Sequence, residues 1–376
     1  MREIQMVDLK TQYEKIGSEI DIAIKSVLES SAFIKGPDVK LFEEELQDYM
    51  GVKHVISCAN GTDALQLAMM ALGLKPGDEV ITTNFTFIAT VEVVALLGLK
   101  LVIVEPDPES FNISVEAVRK AITKKTKAIV PVHLFGQCAN MESLMEIAKK
   151  HNLFIIEDAA QATGADYISR DGTTKKAGTI GNIGTTSFFP SKNLGCYGDG
   201  GALYTNDDTY AKKLRSIANH GMAVRYHHDD IGINSRLDSI QAAILRVKLK
   251  YLSQFNSSRR AVADHYDKAF SGCPSLSVPE RVSYSSHIFH QYTLKVKNGK
   301  RDDLRKFLES KKIPSMIYYP GPLHMQEAYR YLGYSESAFP VTSALCKEVL
   351  SLPMYPEIEQ ELVDYIISNI LNFFSK

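Results

Sequence analysis

Neither sign of charge predominates in this chain. Its 43 Lys and Arg residues are balanced by 44 Asp and Glu, for a net charge of −1. There is no basic footprint of the kind that holds nucleic acid or an anionic membrane surface, and neither is expected as a partner. Long apolar runs are missing too. The most apolar stretch, 91–104, is broken by Gly98 and Lys100 and reads as helix, turn and strand, not as a membrane span. At the start, Arg2 and Glu3 stand where a secretion signal needs an apolar run. The five cysteines (58, 138, 196, 273 and 346) are scattered, with no Cys-x-x-Cys pair. That favours reduced thiols in the cytoplasm over a disulfide framework or a zinc site. His227, His228, His287 and His290 have no acidic or cysteine neighbours at ligand spacing, so they are read as surface or core residues and no metal is expected. Repeats and low-complexity tracts are absent. Tyr49 and Lys53 match a Tyr-x-x-x-Lys pattern, but no Gly-x-x-Gly-x-x-Gly turn follows an early strand, which leaves a nicotinamide-dependent sugar-nucleotide enzyme weakly supported.

What is present suits a globular protein of two units. A chain of 376 residues exceeds one ordinary core, and 45% hydrophobic with 23% charged residues is the usual globular balance. Short β-branched runs at 55–57, 79–83, 101–104, 128–133, 154–157, 185–189 and 201–206 alternate with helical patterns such as 141–151. This alternation predicts a mostly parallel sheet covered on both faces, with ligands at the carboxyl ends of its strands. Helices are expected at 207–219 and over 235–270, the second interrupted near 256–258. After Gly272 the pattern changes: strands at 291–296 and 315–319 flank a helix at 302–311, and two helices close the chain as a separate α+β unit.

The most informative segment is 187–201. It places Lys192 in a short polar loop between two strand-like runs, with Gly195, Gly198, Gly200 and Gly201 allowing tight turns beside it. Upstream, Phe154, Ile155 and Ile156 lead to Asp158 at the carboxyl end of a buried strand. A lysine that forms a Schiff base and an aspartate that holds a pyridinium nitrogen are the two groups pyridoxal phosphate chemistry requires. Taken alone, Lys192 is a solvated loop lysine of pKa roughly 10.4 and Asp158 a turn cap; together they point to the cofactor. Asn60, Gly61 and Thr62 precede a helix at 64–72, whose free amides and the Thr62 hydroxyl suit a phosphate, although an ordinary N-cap has the same appearance.

These segments resemble the sugar-nucleotide aminotransferases of the DegT family, pyridoxal-phosphate enzymes of fold type I. The likeness runs through 8–13, 60–64, 157–161, the lysine loop, 232–243 and 318–323. It implies an aspartate-aminotransferase-like α/β fold: a large cofactor-binding domain over 14–250 with a mostly parallel sheet, and a smaller α+β domain over 251–376 joined by residues 1–13. It also implies a homodimer with shared active sites, L-glutamate as nitrogen donor, and a nucleotide-linked keto sugar as acceptor for a surface polysaccharide or lipopolysaccharide. By the same resemblance Gln161 meets the cofactor's phenolic oxygen, Ser187 is a second phosphate ligand and Phe87 stacks on the ring. Asn234 and Arg236, expected to open the long helix, reach the partner's cofactor phosphate and the sugar. Tyr318 and Tyr319, expected on a strand, contact substrate. The wording of the lysine loop most resembles the branch acting at C3 of UDP-linked 2-acetamido-3-keto sugars and their uronic acids, with a dTDP-3-keto-6-deoxyhexose enzyme next and a non-catalytic regulatory protein further off. Tyr318 departs from the histidine of the uronate-using relatives. Lys192 argues against the family's dehydratases, which carry histidine there.

Overall fold

The alternating runs assemble into one seven-stranded sheet in the computed structural model, which describes residues 3–375. In chain order its strands are β1 (His54–Cys58), β2 (Glu79–Thr83), β3 (Lys100–Val104), β4 (Thr126–Val130) and β5 (Phe154–Asp158). A small hairpin, β6 (Asp166–Ile168) and β7 (Thr174–Lys176), precedes β8 (Ile183–Ser187) and β9 (Gly201–Thr205). The spatial order is β1-β9-β8-β5-β4-β2-β3. Only β9 runs against its neighbours, so β1 to β5 and β8 all end at one edge of the sheet. β4 stops at Val130, short of the expected 133, because Pro131 has no amide for the ladder.

Side chains alternate between two apolar layers, as a sheet covered on both faces demands. Ile56, Ala128 and Val130 meet the layer of Leu65, Val93 and Leu214, whereas Val55 packs with Phe42, Leu46 and Leu245 and Ile129 with Leu144 and Ile147. The covering helices start at polar caps: Asn60 accepts from the Asp63 amide (2.8 Å), Asn140 from Ser143 (3.2 Å) and Asp207 from Thr209 (2.7 Å).

Beyond this layer a second core gathers Tyr266 and Phe270 with Leu294, Leu304, Leu350 and Ile366, and Ile4 joins it. Its sheet has the order β12 (Leu276–Ser277), β13 (Tyr292–Val296), β14 (Val349–Leu352), all antiparallel. The remaining pair, β10 (Met222–Val224) and β11 (His227–His228), is a separate exposed hairpin. Two expectations need correction. The strand at 315–319 is a loop with a single bridge, Met316 to Ser351, bracketed by Pro314 and Pro320. The interruption near 256–258 lies instead at Lys250–Tyr251, between helices Ser239–Leu249 and Leu252–Phe270. Asn256 does not break its helix, because its side chain bonds outward to Thr163 and Asn193 and leaves the helical ladder alone. The two closing helices are present as Pro340–Glu348 and Gln360–Phe374, with the unanticipated β14 between them; its four residues are all buried and show no alternation to read.

Candidate active site

The loops leaving the carboxyl ends of β1, β2, β4, β5 and β8 surround a cleft of about 640 Å³. Lys192 enters it from the loop between β8 and β9. That loop is tightly closed: the amide of Phe188 donates to Gly200 O (2.7 Å), that of Lys192 to Phe189 O (2.8 Å) and that of Cys196 to Phe188 O (2.8 Å). A Cβ on Gly195 would lie 2.4 Å from Pro190 O, so this turn admits only glycine. From below, Lys248 donates to Gly195 O (2.7 Å) and Gln241 accepts from the Tyr197 amide (2.8 Å). Lys248 is 2% exposed, an unusual burial for a lysine, and its ammonium lies over the Tyr197 ring, 4.6 Å from the ring centre.

Asp158 lines the same cleft at the end of β5, buried. Its carboxylate accepts from Thr90 Oγ1 (2.8 Å) and the Ala160 amide (3.2 Å). Burial shifts both groups, in opposite directions. Desolvation lowers the Lys192 ammonium to about 8, opposed by the charge of Asp158, and raises the Asp158 carboxyl above the ordinary aspartate range, opposed first by the Thr90 hydrogen bond. Beside Asp158, Glu157 is fully buried. It is held low against desolvation by His133 Nε2 (2.8 Å) and by the amides of Gly178, Ile180 and Gly181.

The other predicted residues divide into two groups. Gly61 and Thr62 begin the helix Gly61–Ala71 at the cleft, and their amides have no acceptor among the described residues. Ser187 faces them so closely that a Cβ on Gly61 would come within 2.7 Å of the serine Cβ. Phe87 sits on the rim, 55% exposed, and so is not a core aromatic. Gln161 accepts from the Phe135 amide (2.8 Å) and donates to the Tyr319 hydroxyl (3.1 Å), and Tyr318 lines the same wall. Asn234 and Arg236 are elsewhere. They do not open the long helix, whose N-cap is Asp238; they occupy the extended segment before it. Asn234 is exposed and bridges to Asn219, and Arg236 lines a second pocket of about 450 Å³ with Lys35, Glu43 and Arg215. Thr90, His133, Lys248 and His290 were not anticipated as parts of the site. In sequence, His133 reads only as the end of the run 128–133 and His290 as a surface or core residue, while Thr90 lies three residues after Phe87.

A phosphorylated pyridine aldehyde fits this donor set. Two free amides at a helix start suit its phosphate, a buried carboxylate suits a protonated ring nitrogen, and a lysine of lowered pKa suits the carbonyl. The sequence profile of the DegT/DnrJ/EryC1/StrS aminotransferase family matches residues 14–371. The chain belongs to that family. It is therefore a pyridoxal-phosphate-dependent sugar aminotransferase of fold type I. It is 46% identical to the pleiotropic regulatory protein of Geobacillus stearothermophilus, over 99% of this chain and 98% of that one. To the UDP-2-acetamido-2-deoxy-3-oxo-D-glucuronate aminotransferase of Pseudomonas aeruginosa it is 43% identical, over 98% and 100%. The dTDP-3-amino-3,4,6-trideoxy-alpha-D-glucose transaminase of Streptomyces venezuelae is 40% identical over 95% and 92%. Among solved structures, S. venezuelae DesV in complex with a ketimine intermediate superposes with a TM-score of 0.96 at 37% identity, each chain fully covered. No helix of this aminotransferase, among the described residues, is long and apolar enough to cross a membrane.

Proposed function

We propose that this enzyme moves the amino group of L-glutamate to the 3-keto group of a UDP-linked 2-acetamido-2-deoxyhexose or its uronic acid, in the cytoplasm, to make a sugar for a surface polysaccharide. The observation that carries the reading is the presence of Lys192 and Asp158 in one cleft, with opposed pKa shifts. When bound, pyridoxal phosphate supplies a carbonyl that holds an amine covalently and a ring that accepts electrons. Gly61, Thr62 and Ser187 bind its phosphate, Phe87 covers its face, and Gln161 orients its phenolic oxygen. Asp158 keeps the ring nitrogen protonated, positioned by Thr90. Lys192 would take up and return the proton at the substrate carbon. The similarity to a 3-oxo-glucuronate aminotransferase supports the UDP branch, and Tyr318 and Tyr319, which line the cleft, would contact the acceptor. The similarity to a dTDP-sugar transaminase keeps a dTDP-3-keto-6-deoxyhexose as the second reading. A regulatory role, the name borne by the Geobacillus relative, is disfavoured by an intact Lys192 and Asp158. Incubation with glutamate and a panel of UDP and dTDP keto sugars, read by mass spectrometry, tests this. An aminated UDP sugar is expected; a clear preference for the dTDP sugar replaces the branch, and no aminated product on any sugar defeats the reading.

The cleft itself argues for two chains. Lys192 is the only lysine or arginine among the described residues that line it, yet the cofactor phosphate and a nucleotide diphosphate must be neutralised there. Asn234 and Arg236, displaced from the cleft of their own chain, are proposed to complete the partner's. Mixing Lys192→Ala subunits with Asn234→Ala/Arg236→Ala subunits should then restore about one quarter of wild-type sites, because half of the dimers are mixed and each holds one intact site. Verified mixed dimers without activity would place the whole site within one chain.

Arg236 also bears on specificity. Its fork can grip a carboxylate in a bidentate manner, which the hydroxyl of Tyr318 cannot match in charge. Arg236→Ala is expected to cut uronate turnover by roughly 10–100-fold more than turnover of the neutral sugar. Steady-state rates on the two sugars measure this, and equal losses would show that Arg236 holds some other part of the substrate.

A further inference from the structure

His290 lines the Lys192 cleft and has no part in the roles above. It is 5% exposed, and the hydrogen bonds around it settle which ring nitrogen carries the proton. Asn193, next to Lys192, gives its side-chain NH2 to Asn256 Oδ1 (2.7 Å) and to the main-chain carbonyl of Ile288 (3.3 Å). Asn256 gives its own NH2 to the carbonyl of Thr163 (3.3 Å). Main-chain carbonyls only accept, so each amide has one orientation. Asn193 Oδ1 is thus the atom that meets His290 Nδ1 at 3.3 Å, and an oxygen there requires Nδ1–H. Burial, then the charges of Lys192 and Arg259, hold the imidazole well below the ordinary histidine range, so the ring is neutral and Nε2 keeps a lone pair. Nε2 has no partner among the described residues and is not sealed from solvent. Nε2 thus presents an open acceptor to a ligand in the cleft.

Most groups brought into this cleft cannot supply that donor. The cofactor's phosphate and phenolic oxygen accept, and the proton on its ring nitrogen belongs to Asp158 in the reading above. Diphosphate and carboxylate groups accept as well. The hydroxyls of a sugar donate. We propose that His290 is a substrate-positioning residue, held in its Nδ1–H form by the Asn193–Asn256 chain, whose Nε2 accepts a hydrogen bond from a hydroxyl of the sugar acceptor beside Lys192. This rests on the nucleotide-sugar reading and adds a contact to it.

The test uses the full-length, cofactor-loaded protein with His290→Leu and His290→Gln, the glutamine keeping an acceptor oxygen near the place of Nε2. Binding of an unreactive nucleotide sugar that carries a hydroxyl at C3, UDP-N-acetylglucosamine, is measured by calorimetry. The glutamate and keto-sugar half-reactions are followed separately by cofactor absorbance. His290→Leu should weaken sugar binding roughly tenfold, slow the sugar half-reaction at least as much, and cost the glutamate half-reaction less. His290→Gln should recover most of the loss. Equal losses in both half-reactions would put the role on Lys192 or the cofactor and overturn the inference, as would a glutamine variant no better than leucine. Wild-type protein that neither binds nor aminates a nucleotide sugar overturns both readings. Wild type that does both, with His290→Leu unaffected, overturns this one alone.

Discussion

Lys192→Ala is expected to abolish multiple turnover, with a loss of at least roughly 10⁴-fold, the upper end of what a positioned acid–base group contributes, because the covalent attachment point goes as well. Borohydride treatment of the loaded wild-type protein should fix the cofactor on the peptide containing Lys192, and the alanine variant should carry no label there. A label on another lysine, or sustained turnover by the variant, would refute the assignment. The same residue predicts a pH dependence. Only the neutral amine attacks a carbonyl, and desolvation has lowered the Lys192 pKa to about 8. At pH 7 about one amine in ten is then neutral, against about one in 2,500 for a solvated lysine of pKa near 10.4. The rate at which cofactor-free protein takes up the cofactor covalently should therefore rise through about pH 8 and level off above it. A profile still climbing at pH 10 would mean that the amine is solvated.

Asp158→Asn should damage chemistry far more than binding. The amide is the same size, and its oxygen can keep the bond from the Ala160 amide while the Thr90 hydroxyl turns to accept from the new NH2. What is lost is the negative charge, in a buried place where a preorganised charge is worth roughly 10²–10³-fold in rate. Amino transfer, measured in a single turnover with glutamate, should slow by about that factor. If Gly61, Thr62 and Ser187 hold the cofactor phosphate as proposed, the cofactor should be largely retained on gel filtration. Near-normal turnover would remove Asp158 from its role. Loss of cofactor with little loss of rate in the remaining loaded protein would make it a binding residue instead.

What the sequence determined by itself was local. The runs that became β1 to β5, β8 and β9 were legible because a half-buried or fully buried strand leaves its pattern in consecutive residues. The lysine loop was legible because a turn as tight as that at Gly195 admits so few residue types. Asp158 was legible as a carboxylate at the end of an apolar strand, and the long motifs around these residues carried the family. Tertiary structure decided everything that depends on strand order. Thr90 reaches Asp158 across 68 residues of chain and Asn193 reaches His290 across 97, and neither residue type announces such a partner. Lys248 and Asn256 look in sequence like an ordinary helix lysine and a helix breaker; packing against the lysine loop makes one a buried clamp and the other a link to His290. The segment with Tyr318 and Tyr319 had the composition of a strand, but its neighbours left only Met316 a partner. Asn234 and Arg236 show the same division, since the family resemblance marked them while the fold of one chain carries them away from Lys192. The physical reason is that propensity, capping and turn chemistry act over a few residues. Desolvation and side-chain hydrogen bonding, which lower the Lys192 pKa and fix the His290 proton, arise only when distant segments are brought into contact.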